Sequence, residues 1–123
     1  MMAKTVLLID DSKTQLLNSK FILQRVGYQV ALVSDPLQAL EQIIAIRPDL
    51  IITDINMPAK DGIAIIKEVR QLTEFADTPI LVMSTDAQKP LFEQARLVGA
   101  TGWLLKPFKQ DDLLNSVKHL IKG

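Results

Sequence analysis

The chain has 123 residues, no cysteine, and acidic and basic side chains balanced at 14 each. One ordinary domain fits that length, disulfides and thiolate metal sites are excluded, and the basic footprint of a nucleic-acid binder is missing. Hydrophobic residues make up 48% of the chain, but they fall in short blocks, none near the ~20 residues of a membrane span. The opening MMAKTVLLIDDSK has too short an apolar stretch for a signal peptide and places aspartates where a cleavage site would fall. A cytoplasmic protein is expected.

The predicted elements alternate along the chain. A first strand at Val6–Ile9 leads into a helix with Leu16, Leu17, Phe21, Leu23 and either Ile22 or Val26 on its apolar side, ended by Gly27. After a second strand at Val30–Val33, Ser34-Asp35-Pro36 opens a helix carrying Leu37, Leu40, Ile43 and Ile44, halted before Pro48. The third strand, Leu50–Ile52, precedes a helix over about Asp61–Leu72 with Ile63, Ile66 and Val69 as its stripe. Ile80–Met83 is the fourth strand and Pro90–Val98 the fourth helix, closed by Gly99. Trp103–Leu105 is the fifth strand, and a last helix from Gln110-Asp111 carries Leu113, Leu114, Val117, Leu120 and Ile121. Outside the Trp103 segment the strands are continuous apolar runs, as expected of strands covered on both faces. Five such units joined by short loops imply one α/β domain over residues 1–123, a parallel sheet between two helical layers.

Ligands of open α/β sheets bind beyond the carboxyl ends of the strands. Asp10 and Asp11 follow the first strand, Asp54 the third, Ser84 and Thr85 the fourth, and Lys106-Pro107 the fifth. Taken singly, each is an ordinary cap, turn or solvated residue. Together, three carboxylates at neighbouring strand ends repel one another unless a cation sits among them. Hard oxygen donors suit Mg²⁺, with Mn²⁺ as the alternative, and the backbone carbonyl of Asn56 is a further candidate ligand. Lys106 is placed to neutralise the cluster and to pair with a phosphoryl oxygen, and Ser84 to donate to the same group. The Lys106–Pro107 bond is a candidate cis peptide. His119, the sole histidine, reads as part of a solvated face among Lys118 and Lys122.

IDD at 9–11, TDINMP at 53–58 with Gly62, PILVMST at 79–85 and GATGWLLKPF at 99–108 resemble the signature blocks of the response-regulator receiver family, notably its single-domain CheY-like members. The resemblance covers essentially the whole chain. It implies a flavodoxin-like (βα)5 three-layer sandwich of strand order 2-1-3-4-5. It further implies that Asp54 is the phosphoacceptor of a two-component system, charged by a histidine kinase or phosphotransfer protein. Asp11, Asp54 and the Asn56 carbonyl would hold Mg²⁺, Asp10 would reach it through water, and Ser84 and Lys106 would hold the phosphoryl group. Such a domain is a switch rather than an enzyme, although it assists its own phosphorylation and dephosphorylation. Asn56 and Asp86 would flank the path of the hydrolytic water, in a pairing that looks like a short-lived chemotaxis signal.

Trp103 stands where the family's switch aromatic is more usually tyrosine or phenylalanine, and its larger indole would hinder full inward rotation. The downstream protein target is expected on the face of the fourth helix, fifth strand and fifth helix, with neither direct nucleic-acid binding nor membrane insertion. Two alternatives stand beside this reading. One is a haloacid-dehalogenase-like phosphatase, whose D-x-D pattern the run Asp10-Asp11-Ser12-Lys13 does not match. The other is a receiver fragment of a longer regulator.

Overall fold

Runs of Val, Ile and Leu with no polar face hide both sides of their backbone, and the first, third and fourth such runs are buried here, while the second is only half-buried up to Val33. The computed structural model describes residues 3–86 and 88–121, so both ends of the expected 1–123 domain lie outside the described residues. Among the described residues the strands are β1 (Thr5–Ile9), β2 (Gln29–Val33), β3 (Leu50–Asp54), β4 (Ile80–Ser84) and β5 (Gly102–Leu105). They form one parallel sheet, as the apolar pattern predicts, and its order β2-β1-β3-β4-β5 is the one the family resemblance implies. The helices are α1 (Lys13–Arg25), α2 (Ala39–Ile46), α3 (Gly62–Arg70), α4 (Lys89–Val98) and α5 (Gln110–Leu120).

Strand alternation divides the core into two layers. Leu7, Ile9, Ile51, Ile80 and Val82 pack with Ala39, Ile43, Ile65, Ile66, Val69 and Ala95 of α2, α3 and α4. Val6, Leu8, Leu50, Ile52, Leu81 and Met83 pack on the other side with Leu16, Leu23, Leu113 and Val117 of α1 and α5. Helices on both faces leave the carboxyl ends of the strands open, and the sheet order reverses between β1 and β3. No helix among the described residues is long and apolar enough to cross a membrane.

Three local expectations are corrected. In α1 the buried positions are Leu16, Ser19, Ile22 and Leu23, whereas Leu17, Phe21 and Val26 are exposed, Phe21 at 70%. The sheet covers a narrow stripe, and Leu17 and Phe21 lie about 100° and about 140° further round the helix than Leu16. The second helix begins as a 3-10 turn over Pro36–Gln38, with Asp35 as its N-cap ahead of Pro36. Its tighter winding, about 3.0 residues per turn, shifts the phase, so Ala39 and Ile43 are buried while Leu37 and Ile44 face outward. The third helix stops at Arg70 instead of Leu72, and a 3-10 turn at Thr73–Phe75 lets Phe75 enter the core.

Two glycines are required by close approach. A Cβ on Gly62 would stand 2.4 Å from the Asp54 carbonyl oxygen, because α3 begins directly against the end of β3. Gly99 ends α4 in the left-handed region with φ 118°, and a Cβ there would meet the Arg70 side chain at 2.8 Å. Arg70 lies across this corner, donating to the Gly99 carbonyl from Nε and Nη2 and to the Phe75 carbonyl from Nη1.

The burial pattern of α1 separates two truncations that the sequence alone would rank together. Leu23→Ala is expected to cost about 2–5 kcal/mol through a core cavity, and Phe21→Ala to stay within about 0.5 kcal/mol of the parent. Urea unfolding of the two variants checks this, and equal losses would contradict the exposed placement of Phe21.

Candidate functional site

The open edge of the sheet is built by strand ends in register. Asp10 directly follows β1 and is tied there by its backbone N–H to the Val33 carbonyl. Asp54 ends β3 opposite Met83, and Ser84 ends β4 opposite Leu105. Lys106 follows β5, its N–H donating to the Ser84 carbonyl. The Lys106–Pro107 bond is cis, as the sequence suggests. Helix α1 takes Ser12 as its N-cap, with the hydroxyl accepting from Gln15 N–H, so neither Asp10 nor Asp11 performs the capping that would otherwise explain it.

Carboxylate oxygens of Asp10, Asp11 and Asp54 all lie within 4.8 Å of one another. Asp10 is buried and Asp11 exposed, so the cluster spans from the floor of the cleft to its rim. The Lys106 ammonium reaches in from β5 and bonds Asp10 Oδ2 at 3.1 Å and Asp54 Oδ2 at 3.0 Å. The other Asp54 oxygen, Oδ1, accepts from the backbone N–H groups of Ile55 and Asn56. Asp10 Oδ1 accepts from Ser12 N–H.

One cation against three carboxylates leaves negative charge in excess. Desolvation pulls the Lys106 pKa down, but the hydrogen bonds and charges of Asp54 and Asp10 outweigh it and the net shift is upward. The stabilisation from this raised pKa is therefore fully present below the ordinary lysine value and fades only as pH climbs through the raised one. At neutral pH the cation is in place.

A small hard cation fits this donor set, since the oxygens are carboxylate and no nitrogen or sulfur ligand intrudes among the three. Ser84 is fully buried, and its Oγ accepts from Asp86 N–H at 3.0 Å. Asp86 in turn accepts from Gln88 N–H. Asn56 is exposed in the loop leaving β3. In that loop Ala59 adopts a left-handed φ of 71°, and Lys60 pairs with Glu68 of α3.

Trp103 lies apart from the carboxylates. It is half-buried on the α4 side of the sheet, its ring 3.9 Å from that of Phe92 at a tilt of 53°. Its indole N–H is buried without an acceptor among the described residues. A groove of about 170 Å³ runs beside the pair, lined also by Ala95, Ala100 and Gly102. Sequence reasoning missed Phe92 as the partner of Trp103 and Arg70 as the clamp on α4. Phe92 sits three residues before the buried Ala95, so helical spacing held part of that signal. Nothing in sequence ties Arg70 to Gly99.

The family model of the response regulator receiver domain matches residues 6–118, and the chain belongs to that family. Protein PilG of Pseudomonas aeruginosa is 35% identical over 92% of this chain and 84% of its own length. The chemotaxis protein CheY4 of Vibrio cholerae superposes with a TM-score of 0.93 at 35% identity, over 97% of this chain and 99% of that one. The receiver domain of a Pseudomonas aeruginosa sensor histidine kinase, which holds a magnesium ion in its active-site cleft, gives a TM-score of 0.90 at 27% identity, over 99% of this chain and 100% of its own. The domain is thus a signalling switch of the two-component type, and the dehalogenase-like phosphatase reading finds no support.

The charge excess yields a two-sided prediction at Asp11, the exposed carboxylate of the cluster. Asp11→Asn is expected to stabilise the metal-free protein by about 0.5–1 kcal/mol by removing like-charge repulsion, and to weaken Mg²⁺ binding at least severalfold. Urea midpoints in chelator and in excess Mg²⁺ test both signs; a variant less stable than the parent in chelator would contradict the electrostatic account.

Proposed function

We propose that Asp54 accepts a phosphoryl group from the phosphohistidine of a histidine kinase or phosphotransfer protein, and that the modified domain signals through protein contacts. The observation that carries the reading is the placement of Asp54 Oδ2 against Lys106, beside Asp10 and Asp11. Asp54 Oδ1 is engaged by two backbone N–H groups, so its carboxylate is held in a fixed orientation before any donor arrives. Asp10, Asp11, Asp54 and the Asn56 carbonyl would hold Mg²⁺, in keeping with the magnesium in the cleft of the related sensor-kinase receiver. The ion, when bound, would supply neutralising charge to the transferring oxygens. Ser84 and Lys106 would then hold the phosphoryl group from β4 and β5.

Residues 1–123 act in this reading as a single receiver domain that assists its own phosphorylation and dephosphorylation. Asn56 and Asp86 would tune the lifetime of the phosphate from either side of the site. Chemotaxis or motility signalling is supported by the likeness to the chemotaxis protein CheY4, and the α4–β5–α5 face, with Trp103 at its groove, is where a target would dock.

Incubation with acetyl phosphate and Mg²⁺ is expected to add one phosphoryl mass to the protein and none to Asp54→Asn. No gain in the parent would overturn the reading, and a phosphate persisting for hours would contradict the short-lived version. Trp103 gives a second readout, since it is the only tryptophan in the chain. Beryllofluoride with Mg²⁺ should change its emission, and unchanged fluorescence would count against a switching role.

A further inference from the structure

Helix α4 is held very differently at its two ends. At the carboxyl end, Ala100 N–H closes onto the Ala95 carbonyl, and Gly99 offers its own carbonyl to the Arg70 guanidinium at 3.1 and 2.8 Å. Arg70 also donates to the Phe75 carbonyl at 2.6 Å, so one planar side chain spans the end of α3, the following 3-10 turn and the end of α4. Thr101 completes the anchorage. Its N–H donates to the Ile80 carbonyl and its hydroxyl accepts from Ile80 N–H at 2.6 Å.

Among the described residues, the amino end has fewer hydrogen bonds to other elements. Gln88 makes no side-chain cap, the first turn carries no acidic residue, and Lys89 sits where the helix dipole favours a negative charge. Among the described residues, the side-chain hydrogen bonds at this end are the short chain of Gln88 N–H to Asp86 Oδ1 and Asp86 N–H to Ser84 Oγ. The hydroxyl at the root of that chain belongs to the residue placed to meet the phosphoryl group.

We propose that Arg70 is the positioning residue that fixes the Gly99 end of α4, making the helix a lever whose amino end moves when Ser84 is drawn toward Asp54. This rests on the phosphoacceptor reading above. With the carboxyl end pinned, a change at Ser84 swings the start of α4, including Phe92 in its first turn and a half, past Trp103 on the anchored strand. Without Arg70 the same change would spread over the helix and the α4–β5 corner, and the Phe92–Trp103 contact would follow it less closely. Arg70 touches none of the site residues, so its loss should leave phosphoryl uptake intact.

Amide hydrogen exchange in the free and beryllofluoride–Mg²⁺ states, on the parent, Arg70→Gln and Arg70→Lys, tests this. In the parent, exchange over residues 88–92 should change on activation while 97–101 stays protected and unaltered. Arg70→Gln should speed exchange at 97–101 by about tenfold or more in both states. Arg70→Lys, which keeps the charge but loses the two-pronged grip on Gly99, should fall between. Equal changes at the two ends of α4 in the parent would overturn the lever, and parent-like protection at 97–101 in Arg70→Gln would overturn the anchor. Failure of the phosphoacceptor reading would show separately, as absent beryllofluoride binding and no acetyl phosphate uptake; the lever then falls with it, and the free-state comparison still decides the anchor. The parent measurements stand even if a variant does not fold.

Discussion

The site depends on one ammonium group held between two carboxylates. Asp10, Asp11 and Asp54 are forced together by strand order, because β1 and β3 are neighbours and both deliver their carboxyl ends to the same edge. Lys106 arrives from β5, two strands away from β3, and bonds Asp10 and Asp54 at once. Its charge makes the crowding tolerable without cancelling it. The remaining negative charge would favour a hard cation, so the same feature that costs stability suits the cluster to one.

The rest of the fold serves this edge by burial. Both faces of the sheet are sealed by helices, which makes the strands rigid and keeps their ends in fixed register. The loops beyond them differ in character. After β3 the backbone amides of Ile55 and Asn56 lock one oxygen of Asp54, and Gly62 lets α3 start against the same strand. After β4 the bonds form a relay instead, from Asp86 N–H to Ser84 Oγ and from Gln88 N–H to Asp86 Oδ1.

Much of this was legible in the sequence, and the exceptions share a cause. Continuous apolar runs gave the strands, and Asp10, Asp54, Ser84 and Lys106 announced the site because each follows or ends such a run. Phase was less legible. Leu17 and Phe21 are as hydrophobic as Leu16 and Leu23, yet only the sheet's position decides which side of α1 is covered, and Ser19 occupies a buried place there. The 3-10 start of the second helix likewise altered burial by a change of winding that composition does not encode. Contacts made by a side chain to distant backbone, such as Arg70 to Gly99 over 29 residues, leave no trace in local pattern at all.

That last contact also bears on how such a chain can diverge. Gly99 has no room for a side chain while Arg70 lies against it, and Arg70 has its carbonyl acceptor only because the chain turns left-handed at Gly99. A change at either position is therefore felt at the other, 29 residues away along the chain.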